Sequence, residues 1–266
     1  MAGLKTKLPN NARFVAVAAA LFCASGLAAD WQPYEARYAV YRNGKLAGKV
    51  EISLSREGDQ WVMRSEGSGT HGLARILRAK DTENVVGRFE NGKFLPQHYS
   101  SHTRVAGIDN KWSAQFDWAT NMVEITEGKN RLSLDMGPGA LDALSLKLEM
   151  QRRLRDKEPG LNFFLVDEDE IKDQDFRALS AERLETSLGC LYTLPVERIR
   201  KNSTRYTRGW HAPDLEFITV RMEHGKTDGD HMEMRISDLV VNGVQVEPKP
   251  GCAALQVSQE TGTVRP

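Results

Sequence analysis

The chain has 266 residues, 40% of them hydrophobic, and its 36 lysines and arginines are matched by 36 aspartates and glutamates. A chain of this length can bury on the order of 70% of its extended surface, enough for one core. Its even charge leaves no basic surplus to neutralise a phosphate backbone, so nucleic acid is not an expected partner.

The first residues fall into three zones. Lys5, Lys7 and Arg13 are positive, residues 14–22 are apolar, and small residues follow from Ala24 to Ala29 before Asp30. This is the layout of a cleavable export signal over residues 1–29, with cleavage near Ala29. The apolar run is shorter than the ~20 residues of a membrane span, so an integral membrane protein is not expected. A lipoprotein signal would acylate Cys23 after a small residue, but Phe22 stands there. Removing the signal leaves 33 cations against 36 anions. The expected location is the periplasm.

Beyond the signal the dominant pattern is alternation, the mark of half-buried antiparallel strands. Tyr34, Ala36, Tyr38 and Val40 share one face, with Glu35 and Arg37 opposite. After the Asn43-Gly44 turn, Val50, Ile52 and Leu54 alternate with polar residues, and Trp61 opens a third strand. A glycine-rich break covers residues 67–72, and residues 73–79 read as a helical turn or an irregular crossing. Strands resume at residues 82–89 and 95–105 around Asn91-Gly92, a hairpin signal. In residues 111–118, Trp112, Ala114, Phe116 and Trp118 lie on one face and Ser113, Gln115 and Asp117 on the other. Residues 122–126 and 131–134 continue the series.

One segment changes period. Leu141, Leu144 and Leu148 recur at three and four, with Met150 beyond them, predicting a helix over residues 140–155 with Glu149, Arg152, Arg153 and Arg155 as its polar positions. Pro159-Gly160 stops it. Strands return at residues 161–166, 171–180, 183–187, 192–201, 205–210, 215–223 and 231–241. In the last of these, Met232, Met234 and Ile236 alternate with Glu233 and Arg235. The expected organisation is one mostly-β domain over residues 30–247 and a partly disordered tail over 248–266. The fold class is mainly β: a large curved antiparallel meander, half-open and barrel-like, with one amphipathic helix packed on it.

Chemistry is sparse. Ser68 and His71 sit on a glycine-rich break and not on a nucleophile elbow. His98 and His102 lie in a strand, about 13 Å apart, too far for one metal ion. His224 and His231 flank a turn and could approach each other, but read as exposed turn residues. The run from Asp167 to Glu170 has neither the ligand spacing nor the glycine of a calcium loop and reads as a solvated connection. No catalytic residues, metal ligands or cofactor are therefore expected. Cys190 and Cys252 remain after export, and an oxidising compartment favours a disulfide over two separate thiols. The most suggestive feature is the face of Trp112, Phe116 and Trp118, with Trp61, Tyr34, Tyr38 and the set of Met222, Met232 and Met234. It reads either as core under the helix or as the lining of an apolar-ligand cavity.

The stretch Tyr34-Glu35-Ala36-Arg37-Tyr38-Ala39-Val40-Tyr41 with Gly44 and Gly48, Pro195 to Arg198, and Trp210-His211-Ala212-Pro213-Asp214 resemble the exported bacterial proteins grouped as domain of unknown function 3108. The resemblance implies an envelope location and a curved β architecture, and brings no functional residues with it. The expected function is that of a non-enzymatic envelope protein whose concave sheet binds a lipid or acyl chain, or an envelope protein segment. The alternatives are a scaffold without a small ligand and an unrecognised envelope hydrolase.

Overall fold

The computed structural model of the chain describes residues 31–253. The export signal and its cleavage point, and residues 254–266 of the expected tail, lie outside the described residues.

The first half is a meander. Strands β1 (Tyr34–Arg42), β2 (Lys45–Glu57) and β3 (Gln60–Gly69) lead into a short helix, α1 (Gly72–Ile76). Strands β4 (Lys80–Glu90), β5 (Lys93–Val105), β6 (Ile108–Asp117), β7 (Met122–Glu127) and β8 (Asn130–Asp135) follow. Each pairs antiparallel with the next. A two-residue strand β9 (Ala140–Leu141) precedes the long helix α2 (Ala143–Arg155).

The second half returns to strands: β10 (Leu161–Val166), β11 (Ile171–Ala178), β12 (Glu182–Thr186), β13 (Gly189–Ile199) and β14 (Arg205–Ala212). A 3-10 turn at Pro213–Leu215 leads to β15 (Ile218–Lys226), β16 (His231–Val241) and β17 (Val244–Gln245). The described residues form one 17-stranded sheet.

What makes this one sheet is β1. It pairs with β2 on one side and with β16 on the other, so the two meanders meet along it. The free edges are β8 at one end and β9, paired parallel to β10, at the other. Only residues 136–139 separate β8 from β9 in the chain. Five Cα steps reach at most about 17 Å, so the two edges lie close and the sheet is curled nearly into a barrel. The half-open, barrel-like meander expected from the alternation is the observed architecture.

Helix α2 fills the inside of the curl and contacts β3, β4, β5, β9 and β10. Its start differs from the sequence expectation by three residues. Asp142 is the N-cap, accepting hydrogen bonds from the amides of Leu144 and Ser145 at 2.9 and 3.0 Å. Leu141 therefore belongs to β9, opposite Leu165, and packs in a second cluster with Met150, Leu154, Leu161, Phe163 and Val196. Leu144 and Leu148 join the main core.

The helix's expected polar side is also partly wrong. Glu149 and Arg152 are only 4% and 6% exposed. A helix enclosed by a sheet has little solvent face, so these charges are satisfied by each other: Arg152 binds Glu149 at 2.7 Å and Glu158 at 2.6 Å. Arg153 adds a second contact to Glu149 at 3.1 Å and lies over the Phe163 ring.

Cys190 and Cys252 are joined by a disulfide. Just before it, the Lys249 amide donates to the Leu188 carbonyl at 2.9 Å and the Cys190 amide to the Pro250 carbonyl at 3.0 Å. Residues 248–252, assigned to the tail by sequence, are thus strapped to the β12–β13 hairpin.

Candidate ligand site

The inner face of the sheet is set by strand alternation. Trp112 and Phe116 are buried in the main core, and Trp112 packs against Tyr99 with ring centroids 4.9 Å apart. Trp118 lies one residue past the end of β6 and is half-buried. It stacks on Phe116 at 6.3 Å and its indole N–H donates to the Pro96 carbonyl at 2.6 Å. All three therefore sit in packed surroundings between α2 and β5–β7. Met232, grouped with this face by sequence, is 46% exposed near the end of β16, where its partner is Arg42.

The space left inside the curl lies elsewhere, between α2 and the strands of the second half. A cavity of about 70 Å³ is walled by Tyr34, Tyr38 and Ile52 on one side and Leu146, Met150 and Gln151 of α2 on the other. Val196, Gly209, His211, Thr219, Met222 and Met234 complete it. Leu146, Met222 and Met234 are half-exposed, so the slot reaches the surface. Larger openings exist: one of about 410 Å³ lies at the C-terminal end of α2, beside Arg153, Leu154, Leu161 and Phe176, and two lie on the outer face. One of about 800 Å³ is lined by Arg64, Asn84, Ser100, His102 and Ser113, and reaches Trp112 of the aromatic face. Another, of about 530 Å³, lies between β12 and the outer side of β1, β15 and β16. Both lie open to water and are edged by charged side chains, Arg64, Glu66 and Lys111 in the first and Glu185, Arg221 and Arg235 in the second.

Apart from Lys147, the polar groups of the slot are neutral. Burial pushes the Tyr34 hydroxyl up to about 12 and holds Tyr38 well above its ordinary range. Tyr38 donates to the Thr219 carbonyl at 2.8 Å, and Gln151 to the Tyr34 oxygen at 3.4 Å. Burial brings His211 down to about 4, so its ring is uncharged at pH 7. Lys147 is the one charged residue lining the slot, and its ammonium is held by the Ala143 carbonyl of its own helix at 3.1 Å. Such a lining suits an uncharged, mostly apolar occupant.

The histidines read from sequence do not converge. His98 is exposed, and His102 meets Asp109 at 2.7 Å. His224 and His231 lie in β15 and β16 and not in a turn. Gly225 faces His231 across the ladder, so His224, one residue away, projects from the opposite side of the sheet. His224 contacts Thr207 and His231 contacts Tyr206. Asp167 and Glu170 close the β10–β11 hairpin and both hold Lys172. Among the described residues no group of three His, Cys, Asp or Glu side chains is placed to hold a metal ion, and no helix is long and apolar enough to cross a membrane.

Sequence reasoning missed His211, Gln151 and the Leu146–Met150 side of α2. The available signal was Gly209 two residues before His211 on the same strand face, a gap beside a polar ring.

A sheet curled around a helix, with a mostly apolar slot between them, defines a barrel-like class of proteins. A family model described as protein of unknown function (DUF3108) matches residues 34–236, and the chain belongs to that family. A search of the curated proteins finds no match. Among solved structures, a beta-barrel-like protein of domain of unknown function DUF1849 from Brucella abortus has a TM-score of 0.52 at 10% identity, covering 79% of this chain and 98% of that one. Weaker likenesses are to a protein provisionally described as a lipoprotein from Parabacteroides distasonis (TM-score 0.36, 12% identity, 79% and 96% covered). A third is to a provisionally exported protein with a YmcC-like fold from Bacteroides fragilis (0.32, 10%, 79% and 94%).

Proposed function

We propose that the protein is a non-enzymatic periplasmic protein that takes up an apolar chain in the slot between α2 and strands β1 and β14–β16. The observation that carries this reading is the slot itself: a mostly apolar interior space, reaching the surface, with Met150, Met222 and Met234 in its wall. Methionine has three rotatable bonds and fills irregular shapes, so such a wall can part and re-form around a guest. At about 70 Å³ the slot holds only a fragment of a ligand as it stands, whereas small-molecule sites run to about 300 Å³ or more. Uptake of a whole chain therefore requires the methionines and Leu146 to move aside. Trp112, Phe116 and Trp118 act in this reading as the fixed packing that holds the curl open.

Export is supported by the three-zone start of residues 1–29, and the Cys190–Cys252 bond fits an oxidising compartment. Native mass spectrometry of protein released gently from the periplasm tests the proposal. A mature mass beginning near Asp30 with a lipid-sized adduct supports it. Full-length protein in the cytosol, or a bare mature mass that stays bare with added lipid, contradicts it.

A further inference from the structure

Resting on the slot as the ligand site, we propose that its occupant carries a hydrogen-bond-donating head, a hydroxyl on an apolar chain, and that His211 selects it. His211 is 6% exposed and lines the slot. Its Nδ1 lies 3.1 Å from the Phe217 carbonyl, which can only accept, so Nδ1 carries the ring proton. In a neutral imidazole the other nitrogen is then a lone-pair acceptor. Nε2 has no partner among the described residues.

This acceptor is not sealed from solvent in the slot, so a guest that seats against it excludes water and must supply a donor in its place. The approach to this nitrogen is kept clear by Gly209. An added Cβ there would lie 3.1 Å from His211 Nε2 and 3.7 Å from the Thr219 methyl. Every other residue type would therefore crowd the nitrogen from within the slot. The geometry thus combines an open lone pair with apolar walls from Ile52, Met150, Met222 and Met234. An alcohol meets both demands. An ether or a carboxylate brings oxygens that only accept, and these set lone pair against lone pair.

The test is a pair of isomers, 1-octanol and heptyl methyl ether, which share size and composition and differ in the donor. Each is titrated against a bound neutral fluorescent probe, N-phenyl-1-naphthylamine, on the full mature protein. The alcohol should displace the probe at roughly tenfold lower concentration than the ether, the effect of one buried hydrogen bond gained against one lost. His211→Phe should bring the two together, and Gly209→Ala should weaken the alcohol toward the ether. Equal affinities of alcohol and ether for the unaltered protein overturn the assignment of His211 and leave the slot standing. Failure of the probe and both isomers to bind overturns the slot as well. Should His211→Phe fail to fold, the comparison on the unaltered protein still decides.

Discussion

Asp142 shows how much a single residue does in this fold. It is fully buried, ends β9, and caps α2 through the amides of Leu144 and Ser145 and the Ser145 hydroxyl. Burial pushes its carboxyl up to about 6 from an ordinary 3.8, against the pull of those hydrogen bonds. Asp142→Ala should cost roughly 1–2 kcal/mol through loss of the cap. Asp142→Asn keeps an acceptor for the amides and removes the charge. The sign of the pH effect follows from the raised value. Between about pH 4 and 6 the folded state holds a proton that the unfolded state has released, so stability from this group falls as pH rises through that window. The urea midpoint of Asp142→Asn, measured against the unaltered protein, should therefore gain on it between pH 4 and pH 7, by on the order of 2 kcal/mol in stability. A constant gap across that range would remove the argument.

At the scale of elements, α2 is the piece whose surroundings the sequence hid. Its period was legible from Leu141, Leu144 and Leu148, and so were most strands, because alternation as in Trp112–Phe116 survives any tertiary arrangement. The pairing of β1 with β16 was not, since nothing local in residues 34–42 names a partner some two hundred residues away. Glu149 and Arg152 misled for a related reason: charge on a helix normally marks solvent, and only the closed sheet reveals that they must satisfy each other. The slot was hidden similarly, being assembled from Ile52, Met150, Gly209 and Met234, which lie far apart in the chain. The burial of the pair makes a definite prediction. Arg152→Met alone leaves Glu149 buried with only Arg153 beside it and should cost roughly 3–5 kcal/mol. Pairing it with Glu149→Gln should recover much of that loss. Chemical denaturation of the two single variants and the double variant checks it, and additive losses would show that the pair is not coupled.

For the whole molecule, two long-range ties hold the curl: the β1–β16 ladder and the disulfide. Cys190 and Cys252 are 62 residues apart in sequence. Closing a loop of that length contributes about 4 kcal/mol on the chain-entropy model. Replacing both cysteines with serine should lower the melting temperature by several degrees, and an unchanged melting curve would show that the strap over the β12–β13 hairpin holds without it. The central claim, that the curled sheet and α2 enclose a site for an apolar chain, is tested most directly by titrating N-phenyl-1-naphthylamine into the mature protein and into Met150→Trp, which fills the slot from the helix side. The account predicts saturable binding of one probe per chain, lost in the folded Met150→Trp protein. Binding that is absent, does not saturate, or persists unchanged in that variant would contradict it.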